Sequence, residues 1–324
     1  MRRQHEAARA EALAAADQAE AVRVAMTAEA AEAYFAVRGL QARLDVARRQ
    51  EGVQRDLAAL LRRQVGEGVA PERNLNQAQA ALENVQAAIP PLTSALEAEF
   101  NRLDVLMGAE PGTWRAELQT PAAVPTPPAL ATADGPATLL RRRPDVLAAE
   151  HRLAAANARI GAALSDYYPK FTLAALFGGQ SVDENTLFAP AALQSQAAGA
   201  VRWRLFDFGR VDAEVAGARG GQAQALAAYR LTVLKASEEV EDAFTDLAQQ
   251  RARASSLEAE VSHLTTARAQ TEQAYEEGVT SLIEVRDVDR GLLAASDQLA
   301  QARTGEAKAA VAVFRSLGGG WSAE

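Results

Sequence analysis

Apolar residues recur at helical spacing over most of this chain. From about Arg210 to Glu277 they fall on two seams, Leu226, Val233, Val240, Leu247, Ala254, Val261 and Tyr229, Ala236, Ala243, Gln250, Leu257, Leu264. Six consecutive heptads, broken only by Gln250 and the amphipathic Tyr229, predict a coiled-coil-like helix. At about 1.5 Å per residue it would run roughly 100 Å. Residues 4 to 65 read as a second long helix, rich in the good helix formers Ala, Glu, Gln and Arg. Gly66-Glu67-Gly68 ends it, and Pro71 suits the start of the next helix, from about Glu72 to Leu106. Pro90-Pro91 is expected to kink or split that helix. From Ala109 to Pro136 the chain turns to Pro, Thr and Ala, an irregular linker or short strand segment, and a further helix runs from Asp145 to about Asp166 after Pro144.

The helices come in duplicate. Gly68-Val69 falls on Gly278-Val279 (278 − 68 = 210), and the same shift carries Tyr34 to Phe244, Leu82 to Leu292 and Gly108 to Gly318. Each copy is a long helix, a glycine turn and a shorter helix with a glycine stop, so the fold is to be read as repeats. Because 210 is a multiple of seven, the first copy keeps register, with Met26, Val37, Leu40 and Leu44 on the seam and Arg23 and Glu51 weakening it.

A different period appears once. Tyr168 to Gly178 alternates Phe171, Leu173, Ala175 and Phe177 against Lys170, Thr172, Ala174 and Leu176. Ala200 to Asp207 alternates Val201, Trp203 and Leu205 against Arg202, Arg204 and Phe206, with a loop from Ser181 to Ala198 between. Each run has the length of a tilted strand crossing a bilayer, and Tyr167, Tyr168, Phe206 and Phe208 stand where interfacial aromatics belong. Such a hairpin packed as a flap on a helix would be marginal in water, and no apolar surface nearby is set to cover Phe171, Phe177 and Trp203 together.

Composition narrows the function. Hydrophobic residues make up 48% of the 324, much of it alanine, while aromatics are only 5%, which suits thin helical bundles rather than one thick core. A net charge of −8 argues against a nucleic-acid partner. The chain has no cysteine, which excludes disulfides, thiolate zinc sites and cysteine nucleophiles. His5, His151 and His263 are scattered without partners at ligand or triad spacing, so no catalytic, cofactor or metal site is expected. No apolar run reaches the length of a membrane-crossing helix, and no apolar core of a signal peptide follows Met1.

Three segments carry a resemblance. LRRRPDVLAAEHRLAAANARIGAALSDYYPKFTLAALF (Leu140 to Phe177), WRLFDFGRVDAEV (Trp203 to Val215) and FRSLGGGW (Phe314 to Trp321) together resemble TolC-like outer-membrane efflux channels, closest to the OprM-like, NodT-like lipoprotein group that serves RND-type multidrug pumps. The resemblance covers essentially the whole chain. It implies a mainly α fold with a small β part: duplicated coiled-coil-like hairpins forming a periplasmic α-barrel, plus transmembrane β-barrel strands, in a homotrimer. The implied partners are a periplasmic adaptor (membrane fusion) protein, an inner-membrane RND-type pump and outer-membrane lipid, with no nucleic acid. The implied place is the outer membrane with a periplasmic extension.

The resemblance also assigns residues. Gly68, Val69, Gly278 and Val279 fall on the periplasmic tips where the adaptor docks, their small side chains leaving backbone open to a partner. Glu284 and Asp287, six and nine residues past Gly278, match constricting carboxylates, and Tyr275 matches a tyrosine of the closed-state network. The first tip departs from the pattern, since Asn74 stands where an acid is usual. Phe171, Leu173, Phe177, Val201, Trp203 and Leu205 become the lipid-facing barrel residues. The chain divides as residues 1–108, the first helical hairpin; 109–140, an equatorial linker; 141–209, a leading helix and barrel hairpin; and 210–324, the second helical hairpin with the C-terminal end.

Subtracting 210 from Val211 gives Met1, so a signal sequence, a lipidated cysteine and a first strand pair are expected upstream, and the sequence reads as N-terminally truncated or begun at a mis-assigned start. Two alternatives stay open: a soluble coiled-coil scaffold, and a non-functional fragment of such a channel. An adaptor would need flanking lipoyl-like β domains, and an enzyme would need a polar cluster.

Overall fold

The computed structural model describes residues 1–127, 142–180, 190 and 193–319. Expectations for Arg141, Gly320 and Trp321, for the linker beyond residue 127 and for most of the loop from Ser181 lie outside the described residues. Helix α1 runs Arg2–Gly66, α2 Glu72–Leu106, α3 Arg115–Leu118 and α4 Pro144–Leu164, followed by a 3₁₀ turn at Ser165–Tyr167. Strands β1 (Lys170–Gly179) and β2 (Leu193–Arg202) precede α5 (Arg210–Glu276) and α6 (Leu282–Ser316).

The duplication is repeated in backbone geometry. Gly68 and Gly278 adopt φ of 73° and 76°, and Gly108 and Gly318 adopt 73° and 91°. At each tip the glycine N–H returns to the carbonyl three residues back, and the following valine N–H to the carbonyl five back, at 3.0 and 2.8 Å in both copies. This closure satisfies the last helical carbonyls and needs a left-handed residue, which glycine supplies at little steric cost.

Ala19–Arg143 and Lys235–Glu324 form one compact unit. Within it the α5 seam packs on α6, with Ala243 and Leu247 against Ala309 and Val313, and Ala254 and Leu257 against Leu299 and Ala302. Gln250, the polar interruption, lies opposite Gly305, where a Cβ would sit 2.9 Å from its Oε1. The first hairpin closes on Ala58, Leu61 and Ala78, with Leu282 of α6 packed against them. Helices α1 and α6 approach closely at Gly39, where a Cβ would lie 2.1 Å from Thr304 Oγ1. Beside that crossing, Arg43 forks onto Asp297 at 2.6 and 3.2 Å. Met26 departs from the expected seam, since 42% of its surface is exposed, whereas Val37 and Leu44 are buried.

Two buried arginines fasten the segment joining the repeats. Arg38, stacked 5.1 Å from the Tyr34 ring centroid, donates to the Thr120 carbonyl at 2.7 Å. Arg143 donates to the Ser316 carbonyl at 3.0 Å and to Glu239 at 2.7 Å. The part of this segment expected to be irregular or a short strand contains the one-turn helix α3 instead. Buried Asp104 fixes the turn before it by accepting the Gly112 and Trp114 N–H groups at 2.6 and 3.1 Å.

Pro90-Pro91 does not split α2, which is continuous from Glu72 to Leu106. Each ring removes one backbone donor, but both prolines lie on the exposed side, where water can serve the carbonyl left over.

Met1–Gln18 and Pro144–Leu234 form the other unit. Here α4 lies along the start of α1, with Arg159 to Glu11 at 2.8 Å and Arg152 to Gln18 at 2.9 Å. His151 approaches Asp17 at 3.4 Å. β1 and β2 pair antiparallel from Lys170↔Arg202 to Gly179↔Leu193. The return strand is therefore displaced from the expected Ala200–Asp207. The ladder stops at Arg202 because the residue before β1 is Pro169, which has no N–H to donate. Trp203 and Leu205 thus follow the strand rather than sit in it, and Leu193 to Ala198, expected as loop, is strand.

Candidate functional site

Three places carry the residues singled out from sequence. At the second tip, Tyr275 is half-buried on the last turn of α5, while Glu284 and Asp287 lie one helical turn apart on the exposed face of α6. Each carboxylate is answered locally. Glu284 accepts the Thr280 hydroxyl, and Asp287 pairs with Arg290 at 2.5 Å. No hydrogen bond joins Tyr275 to either carboxylate among the described residues. Val69 and Val279 project with 73% and 77% of their surfaces exposed, one from each tip.

Sequence reasoning missed two polar links near these tips. Arg268 Nε donates to the buried Asp289 carboxylate at 2.8 Å. Arg286 of α6 donates to the Gln77 carbonyl of α2 at 2.9 Å, tying the second hairpin to the first. Asp289 stands four residues after buried Val285 on the inward face of α6. A charge at apolar spacing was the available signal. The corresponding first-repeat positions, Ala58 and Gln79, hold no charge at all.

The β-hairpin is the second place. Directly paired residues share a face, so Phe171/Val201, Leu173/Gly199, Ala175/Ala197 and Phe177/Ser195 form one side. Lys170/Arg202, Thr172/Ala200, Ala174/Ala198 and Leu176/Gln196 form the other. One face is apolar and aromatic, the other mixed and basic at one end. Every residue of both strands is exposed. Phe171, Leu173 and Phe177 keep 75%, 86% and 76% of their surface. Where the strands meet the helices, Trp203 Nε1 donates to the Tyr167 carbonyl at 3.0 Å, and Arg204 Nη1 donates to both carboxylate oxygens of Glu214 at 3.0 Å. The Tyr167 hydroxyl bonds to Asp212, which raises the phenol above its ordinary pKa, and the bond to Glu214 raises Arg204 likewise.

The third is a cleft of about 1050 Å³ within the unit containing both tips, walled by α1, α5, α6 and residues 123–127. Its charged groups are paired with one another: Asp45 with Arg49, Arg251 with Glu306, Glu258 with Arg303, and Arg268 with Asp289. Among the described residues no group of three or more potential metal ligands occurs, and no helix is long and apolar enough to cross a membrane.

Known proteins share this arrangement. Outer membrane protein OprJ of Pseudomonas aeruginosa is 31% identical over 310 residues, covering 95% of this chain and 64% of OprJ. The toluene efflux pump outer membrane protein TtgF of Pseudomonas putida is 30% identical over 318 residues, covering 97% of this chain and 65% of TtgF. The chain thus spans somewhat less than two thirds of the length of these relatives. The solved outer-membrane channel OprN superposes with a TM-score of 0.88 at 33% identity, covering 99% of this chain and 72% of its own. The family model described as outer membrane efflux protein matches residues 1–109 and 135–319. With duplicated tips, a bare amphipathic hairpin and this match over most of its length, the chain belongs to the outer membrane efflux protein family.

Proposed function

We propose that this chain is the outer-membrane channel component of a tripartite efflux system, passing drugs or other small solutes outward from an inner-membrane RND-type pump. The observation that carries the reading is the hairpin. Ten-residue strands match the thickness of a bilayer, one face is apolar, and nothing among the described residues covers it. Two strands alone leave unpaired N–H and C=O groups on both outer edges, which lipid does not tolerate, so the hairpin needs further strands in a closed barrel. A homotrimer brings neighbouring hairpins toward that closure, with Phe171, Leu173, Phe177 and Val201 toward lipid and the Lys170/Arg202 face toward the lumen.

The helical hairpins form the periplasmic conduit, and their tips meet the adaptor. Symmetry converts Glu284 and Asp287 into a ring of carboxylates around the axis, which favours cations over anions. The adaptor opens the ring by binding the open form more tightly than the closed one. Tyr275 contributes to closure from the neighbouring turn. Transport here asks for no bond-making chemistry and no cofactor, and energy enters through the pump.

Envelope fractionation of cells expressing the gene tests the reading. Recovery in the outer membrane as an oligomer is expected, and recovery as a soluble monomer would leave the coiled-coil scaffold as the better account.

A further inference from the structure

All the charge on the strand ladder stands at one end and on one face. Lys170 and Arg202 are the only ionisable side chains among the paired residues of β1 and β2, and they lie directly opposite one another. Like charges facing each other across a ladder cost stability, and neither strand carries an acid to offset them. The acids just beyond the ladder are already engaged. Asp166 takes the Lys170 ammonium, Glu214 takes Arg204, and Asp212 takes the Tyr167 hydroxyl. Asp207 accepts the Gly209 and Val211 N–H groups at 3.2 and 2.8 Å. Arg202 is left exposed, its guanidinium without a hydrogen bond or ion pair among the described residues. The next pairs on that face, Thr172/Ala200 and Ala174/Ala198, are small and uncharged, which leaves the guanidinium open to a solute.

We propose that Arg202, with Lys170 across the ladder, is an anion-recruiting site on the lumenal face of the barrel, taking the carboxylate, phosphate or sulfonate group of a passing solute. The guanidinium is the stronger partner, since its planar fork meets a carboxylate or phosphate with two parallel bonds and no acid discounts its charge. Each further copy of the chain repeats the pair around the lumen, and a low-dielectric wall focuses the field of all of them. Solutes bearing an anionic group are thereby favoured, the opposite sign to that selected by the carboxylates proposed at the second tip. This inference rests on the barrel reading above.

The chain has no cysteine, so Thr172→Cys places a single thiol beside the pair and on the same face. In protein purified from outer membranes and reconstituted into phosphatidylcholine vesicles, this thiol is titrated with an anionic and a cationic methanethiosulfonate, each rate divided by its rate with free cysteine. By that measure the anionic reagent should react at least about threefold faster. Salt at about 1 M, where the Debye length is about 3 Å, should remove the preference. Arg202→Gln should remove most of it at low salt, and Arg202→Lys should keep it. Equal rates for the two reagents, or a preference that survives Arg202→Gln, overturn the anion site and leave the barrel standing. If neither reagent reaches position 172 while both reach a thiol introduced by Phe171→Cys, the guanidinium faces lipid phosphate, and the site falls together with the barrel orientation. In planar bilayers under a potassium chloride gradient, Arg202→Gln should also shift the reversal potential toward greater cation preference. An unshifted potential in assembled channels would leave the guanidinium without influence on permeating ions and overturn the proposal.

Discussion

Gly39 and Thr304 mark a close approach of the two hairpins, and exchanging their sizes tests whether that approach is required. A Cβ at position 39 would lie 2.1 Å from Oγ1, 2.7 Å from Cγ2 and 2.9 Å from Cβ of Thr304. The last atom is fixed to the backbone, so a rotamer change alone does not relieve the clash. Rotation would also give up the Thr304 bond to the Ala300 carbonyl at 2.7 Å, costing up to about 1 kcal/mol. Overpacking of this kind costs about 1–3 kcal/mol. Replacing glycine by alanine in a helix returns about 1 kcal/mol. Gly39→Ala should therefore destabilise by about 1–2 kcal/mol overall. Thr304→Gly alone should lose about 1 kcal/mol, from the propensity difference and the lost bond to the Ala300 carbonyl. The double variant restores the fit, giving a coupling of about 1–2 kcal/mol in its favour. Urea or thermal unfolding in detergent, followed by helical circular dichroism, reads all four proteins. Additivity within about 0.5 kcal/mol would refute a tight α1–α6 contact.

Arg268→Met should destabilise by about 3 kcal/mol or more in the same assay, because it strands the Asp289 carboxylate, while Arg268→Met with Asp289→Leu should recover most of the loss. Replacing Glu284 and Asp287 together by alanine should raise single-channel conductance in planar bilayers and weaken cation preference, and unchanged values would place the constriction elsewhere. Gly278→Glu should abolish efflux while trimers still form, since φ of 76° strains any side chain there and the charge spoils a partner surface. Normal drug resistance in cells carrying it would remove that tip from the docking surface.

Most helix boundaries were legible because heptad spacing, glycine stops and Pro71 act locally. The second strand was harder. LQSQAAGA from Leu193 is poor in β-branched and aromatic residues and carries Ser195 on the same face as Phe177, so its alternation is muted when read alone. Its end was set by Pro169 across the ladder, a pairing that no local window contains. The same holds for Gly39 and Arg286, whose partners are hundreds of residues away. Met26 went the other way, occupying a seam position in sequence while the partner helix leaves it exposed. The tip turns were legible from the duplicated register, which aligns Gly68 with Gly278, whereas Glu284 and Asp287 were singled out only by the resemblance, since the first repeat has Asn74 and Gln77 in their places.

Whether β1 and β2 stand as barrel strands in lipid can be read from a single-cysteine series along β1. With no native cysteine in the sequence, each position from Lys170 to Phe177 can be labelled in intact outer membranes with a water-soluble maleimide. The account predicts an alternating pattern, with Lys170, Thr172, Ala174 and Leu176 reacting through the lumen and Phe171, Leu173, Ala175 and Phe177 protected by lipid. Uniform reactivity along the strand would contradict it.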